Sequence, residues 1–124
     1  MHVRALRGAT TLDADSADQM AERVPELMLE LLGRNDIGSD DVISVLFVST
    51  PDITCLHPAT AVRGRMAFDD VPMTGAQELD VPGSVELCVR VMMHIETERD
   101  RADLKHVYLH GAVVLRPDLA ENDT

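Results

Sequence analysis

The sequence predicts an α+β domain in which one mixed β-sheet carries two helices, and three stretches support that prediction. From Val85 to Glu96 the odd positions Val85, Leu87, Val89, Val91, Met93 and Ile95 are all apolar, while the even positions hold Glu86, Cys88, Arg90, Met92, His94 and Glu96. Alternation at period 2 is the signature of a strand with one covered face. Val42–Val48 is nearly continuous in apolar, largely β-branched residues, which suits a strand inside a sheet and buried on both faces. Met20, Val24, Leu27, Met28, Leu31 and Leu32 recur at helical spacing and form one apolar stripe.

In order along the chain, residues 2–7 make a first strand with Val3, Ala5 and Arg7 on one side and Arg4 and Leu6 on the other. Gly8 permits a bend, and Thr10–Leu12 extends the strand beyond a bulge. Ser16 with Gln19 three positions later has capping-box spacing and opens the first helix; Gly33 and Asn35 close it. Pro25 lacks the N–H that an interior helical position donates, so a kink or a division is expected there. Residues 37–41 are loop, and Ser49–Thr54 is the loop at the C-terminal end of the 42–48 strand, a frequent place for ligand contacts. Pro58 starts a second helix reaching about Ala67, with Ala59, Val62 and Met66 inward and Arg63 and Arg65 exposed. Val71–Leu79, interrupted by Pro72 and Gly75, reads as a short edge strand, and Asp80–Gly83 as a turn. Thr97–Asp103 is a charged connection. His106–Arg116 is expected as a last strand closing the sheet, with Tyr108, His110 and Arg116 opposite to Val107, Leu109, Val113 and Leu115, and Pro117 stopping it. The acidic tail 118–124 is expected to be flexible unless a ligand or a neighbouring subunit gathers it. Residues 1–124 thus make a single domain. Two helices cannot cover both faces of such a sheet, so association of subunits is expected.

Composition excludes several classes. With 22 Asp and Glu against 11 Lys and Arg, the net charge of −11 argues against nucleic acid or an anionic membrane as partner, since each requires a basic footprint. No apolar run approaches the roughly 20 residues that span a bilayer, and Met1–Gly8 reads as strand and turn rather than a secretory leader, so a cytoplasmic location is expected. Cys55 and Cys88 are read as two thiols. The histidines have no strong ligand cluster, although His94 and His110 would approach each other on adjacent strands; neither metal nor cofactor is expected.

The arginines are more informative. Arg7 ends one strand, Arg90 stands within another, Arg116 ends the last with Tyr108 on its face, and Arg63 lies on the second helix. Singly, each reads as a solvated charge. Together they form a pocket for a carboxylate-bearing ligand, because the guanidinium fork fits a carboxylate and tyrosine adds a neutral donor. Glu78, facing such a cluster, would stay ionised and accept from a ligand hydroxyl; on a loop it is equally a rim charge.

At these residues the chain resembles the monofunctional bacterial chorismate mutases of the trimeric, AroH class. The resemblance rests on Arg4–Thr11, Thr50-Pro51-Asp52, Pro58-Ala59 with Val62-Arg63, Val71-Pro72 with Gln77-Glu78, Arg90-Val91-Met92, Lys105–Leu109 and Val113–Leu119, in one order along nearly the whole chain. It implies a chorismate-mutase-like fold assembling as a trimeric pseudo-α/β barrel, a homotrimer with active sites at subunit interfaces. It also implies the rearrangement of chorismate to prephenate in phenylalanine and tyrosine biosynthesis, without a cofactor. By family position Arg90 would donate to the breaking ether oxygen, Arg7 and Tyr108 would hold the side-chain carboxylate, and Glu78 would meet the ring hydroxyl. Arg116 beside Leu115 would serve the ring carboxylate, and Arg63 would assist from a neighbouring chain or engage the tail. Met73, Thr74, Gly75, His57, Ala59 and Thr60 would complete the substrate-binding wall. Thr60, Gly75 and His57 depart from a family pattern of lysine, cysteine and phenylalanine, which bears on affinity and pocket packing more than on the reaction. The trimeric enamine/imine deaminases resemble the fold without matching these motifs, and a non-catalytic binding trimer is the other rival reading.

Overall fold

Ser16 caps the first helix as its spacing predicts: its hydroxyl accepts the N–H of Gln19 at 3.4 Å, and helix α1 runs over Ala17–Arg34. The box is not reciprocal. Gln19 instead accepts the N–H of Asp13 at 2.7 Å and thereby ties down the turn before the helix. Pro25 neither ends nor divides α1. The stripe of Met20, Val24, Leu27, Met28 and Leu31 is fully buried on both sides of it, and this packing holds the helix together where one backbone hydrogen bond is missing. Asn35 closes α1 by donating from Nδ2 to the carbonyls of Leu31 and Lys105, both at 2.8 Å.

The computed structural model describes residues 1–115; Arg116, Pro117 and the tail 118–124 fall outside them. The strands are β1 (His2–Thr11), β2 (Val42–Ser49), β3 (Met73–Gln77), β4 (Cys88–Thr97) and β5 (Val107–Tyr108), with helix α2 over Pro58–Arg63. They form a single mixed sheet in the order β3-β2-β4-β1-β5. β4 lies antiparallel between β1 and β2, while the edge pairs β2–β3 and β1–β5 are parallel. Both helices contribute to one core on one face, where Leu27, Leu31 and Val62 meet Leu6, Val45, Phe47, Val91, Met93 and Ile95.

Several expectations are corrected. β1 is continuous from His2 to Thr11, with no bulge beyond Gly8. A Cβ at Gly8 would stand 2.9 Å from the Val107 carbonyl and 3.2 Å from the side chains of Leu27 and Leu31, so this glycine serves close packing rather than a bend. The sheet's one register shift lies in β2, between Val42 and Ser44. β2 is interior to the sheet but covered on one face only, for Leu46 on the other face is 37% exposed. β4 starts at Cys88 rather than Val85, because Leu87 takes a left-handed conformation with φ 47°. The last strand is only two residues long: His110 turns left-handed at φ 53° and the chain winds into a 3-10 helix, His110–Leu115. Thr11 takes the Gly111 N–H at 2.9 Å and holds that turn against β1. His110 accordingly lies 2.7 Å from Glu26, and His94 lies 3.4 Å from Ser44, so these two histidines have different partners. Helix α2 stops at Arg63, where Gly64 caps it, rather than near Ala67. Cys55 and Cys88 are free thiols. Among the described residues no helix is long and apolar enough to cross a membrane.

Candidate functional site

Alternation along β4 turns Val89, Val91, Met93 and Ile95 into the core, so Arg90 projects from the opposite face. The register there is definite: Val48 of β2 and Ala9 of β1 flank Arg90, and Tyr108 of β5 stands beyond Ala9. The row therefore reads Val48, Arg90, Ala9, Tyr108. Ala9 matters because its small side chain leaves room between the guanidinium and the phenol. Arg7 occupies the same face two residues along β1, about 7 Å from Ala9 along the strand. Three donors thus surround one alanine.

Glu78 follows β3 and is placed by its backbone, whose N–H donates to the Ser49 carbonyl at 2.9 Å. Its carboxylate reaches Arg90, with Nε 2.6 Å from Oε1 and Nη2 donating to Oε2 at 3.3 Å. The pair is part-buried, with side-chain exposures of 34% and 20%. The Nε contact is short but poorly aligned, so this buried N–H completes no hydrogen bond, and the buried Tyr108 hydroxyl has no partner among the described residues. A buried polar atom without a partner is costly unless something else satisfies it. Tyr108 therefore offers an unsatisfied donor on the sheet face that carries the Arg90–Glu78 pair. Beneath them Cys88 packs with Ala9, Tyr108 and Ala112, while Leu115 lies against the same cluster. Burial pushes the Cys88 thiol up to about 11, which makes it a packing group rather than a nucleophile.

The other expected residues gather elsewhere. His57, Thr74 and Gly75 line a cleft of about 510 Å³ between the start of α2 and the ends of β2 and β3. Thr60 and Arg63 are exposed on α2, whereas Ala59 and Met73 pack against the core; Met73 pairs with the core residue Val45, which turns it away from the open face. Arg116 lies outside the described residues. The β3 edge that carries this cleft and the β5 edge that carries Tyr108 are four strand spacings apart, about 19 Å. Sequence reasoning did not assign roles to Ala9, Thr50, Asp52 or Leu87. Thr50-Pro51-Asp52 did carry a signal, since a hydroxyl and a carboxylate two residues apart commonly organise a turn. Nothing in the sequence marks Leu87 as left-handed.

Fold and donors together define a class: a small α+β domain whose open sheet face presents guanidinium and phenol donors suited to a carboxylated, oxygen-rich small molecule. Comparison with known proteins gives that class its family. The family model described as chorismate mutase type I matches residues 3–119. Chorismate mutase AroH of Bacillus subtilis strain 168 is 38% identical over 120 residues, covering 97% of this chain and 94% of the relative. Chorismate mutase AroH of Thermus thermophilus is 38% identical over 118 residues, covering 94% and 96%. A solved chorismate mutase from Clostridium thermocellum superposes with a TM-score of 0.87 at 42% identity, covering 90% of this chain and 98% of that one. The chain belongs to the type I chorismate mutase family.

Proposed function

We infer that the protein is an isomerase catalysing the intramolecular Claisen rearrangement of chorismate to prephenate, in the cytoplasmic route to phenylalanine and tyrosine. Family membership gives the reaction, and the observation that carries the assignment of residues is the Arg90–Glu78 pair in register with Ala9 and Tyr108. In this reaction the ether C–O bond breaks as a C–C bond forms within one molecule. No proton, electron or group leaves, so the enzyme needs neither nucleophile nor cofactor. It needs the substrate held in a compact, chair-like form, with donors placed where charge develops on the ether oxygen.

Arg90 is the donor to that oxygen, and Glu78 accepts from the ring hydroxyl while keeping the guanidinium over the sheet face. Arg7 and Tyr108 take the side-chain carboxylate, and Arg116 beside Leu115 serves the ring carboxylate. The remaining wall, His57, Thr60, Arg63, Thr74 and Gly75, comes from a neighbouring subunit of a homotrimer, with Ala59 and Met73 packed behind it against that subunit's core. One feature supports sharing: the uncovered sheet face bearing Leu46, on the same side as Arg90. The direct test is loss of chorismate's ultraviolet absorbance on adding purified protein, with prephenate identified by acid conversion to phenylpyruvate. A folded protein that leaves chorismate unchanged overturns the reading and favours a non-catalytic binding protein.

A further inference from the structure

We propose that Asp52 and Thr50 are positioning residues for the Arg90–Glu78 pair, acting by holding Leu87 in its left-handed conformation at the start of β4. This rests on the role just given to Arg90. Leu87 has φ 47°, a region that non-glycine residues other than Asn and Asp rarely enter and that persists only when the surroundings enforce it. Here they do. The Leu87 N–H donates to Asp52 Oδ2 at 2.9 Å, and its carbonyl accepts the Leu12 N–H at 2.8 Å. The other Asp52 oxygen, Oδ1, accepts the Thr50 hydroxyl at 2.5 Å. That hydroxyl, its proton committed to Asp52, accepts the Cys88 N–H at 2.9 Å, and the Thr50 N–H donates to the Cys88 carbonyl at 3.0 Å.

One carboxylate on an exposed loop therefore fixes Leu87 directly and Cys88 through Thr50. Arg90 follows two residues later on the same face as Cys88. The preceding residue, Ser49 at the end of β2, takes the Glu78 N–H at 2.9 Å, so residues 49–52 hold the Glu78 backbone and the chain two residues before Arg90. The main core lies on the opposite face of the sheet and does not require Asp52. Its loss frees Leu87 to leave the left-handed region, which rotates the first residues of β4 and shifts Arg90 relative to Glu78 and the substrate. Misplacement of a catalytic donor by an ångström or less is costly in turnover.

The test uses the full chain in steady-state assays with chorismate, together with amide hydrogen exchange over residues 85–92. Asp52→Ala is expected to lower kcat about ten- to a hundredfold while KM stays within about threefold, with faster exchange over 85–92. Glycine adopts the left-handed region freely, so in a Leu87→Gly background Asp52→Ala is expected to cost less than about threefold in kcat. Thr50→Val, which keeps volume but removes the hydroxyl, gives a second reading in a protein with little reason to misfold: kcat falls about tenfold, and Thr50→Ser restores it. An Asp52→Ala enzyme with parental kcat, or an equal loss in both backgrounds, overturns the proposal and leaves the loop a purely structural device. A parent protein inert toward chorismate would instead overturn the functional reading, and the exchange data would still decide whether Asp52 holds Leu87.

Discussion

Tyr108 is 8% exposed, and its buried hydroxyl lacks a partner among the described residues. Removing such a hydroxyl costs the fold little, because an unmade hydrogen bond is already a penalty. Tyr108→Phe is therefore expected to leave the melting temperature unchanged or slightly raised, by about 1 kcal/mol at most, while KM for chorismate rises. A destabilised Tyr108→Phe protein would show that the hydroxyl is structurally bonded. Arg90→Ala is expected to lower kcat at least about a hundredfold, as loss of a preorganised charge-stabilising donor does elsewhere. Near-normal turnover in that variant would end the assignment. Arg90 and Tyr108 were legible because a period of 2 fixes which face each side chain takes. Ala9 was not, since its importance lies in what it leaves empty, and Leu87 was not, since its backbone is bent by two loops distant in sequence.

Among the elements, the segment before α1 carries a titration of its own. The Thr54 hydroxyl at 2.5 Å, the Thr54 N–H and the Cys55 N–H all donate to the Asp15 carboxylate. They hold its pKa near 2, below the ordinary 3.8. A depressed carboxylate contributes stability that is present above its unfolded value and lost as pH falls through the folded one. The contribution of Asp15 should therefore fade between about pH 4 and pH 2, and thermal melts of Asp15→Asn should depend less on pH across that window than those of the parent. Strand β5 makes a second element-scale prediction. A side chain at Gly8 meets the Val107 backbone, so Gly8→Ala is expected to destabilise by about 1–3 kcal/mol and to raise amide exchange at Val107 and Tyr108. Helix α1 was readable from its cap and stripe, both local features. β5 is short although His106–Arg116 has the composition of a strand, because the turn at His110 depends on Thr11, nearly the whole chain away.

For the molecule as a whole, the order β-α-β-α-β-β-β and the one-sided helical layer were readable, since each element is specified within itself. The division of the expected site between the Arg90 row and the cleft beside α2 was not, because it depends on strand order, which no local pattern encodes. That division makes an assembly prediction. In the proposed trimer Arg90→Ala and Arg63→Ala would each damage a different half of the site, so a mixture refolded together is expected to regain activity that neither protein has alone. A mixture no more active than its components would mean that each subunit works by itself.

Strand order also governs how the chain reaches its structure. β1 is synthesised first, yet it lies between β4 and β5, and its nearest ladder partner along the chain is Cys88, opposite Thr11. Until that part of the chain exists, β1 carries unpaired amides along both its edges, with only α1 against its apolar face. Pairings that span so much sequence must close a large loop before they yield any return, which slows folding. A chain interrupted before Cys88 would hold both helices and three strands without the one that joins them. Such a fragment should be an aggregating intermediate rather than a smaller folded protein.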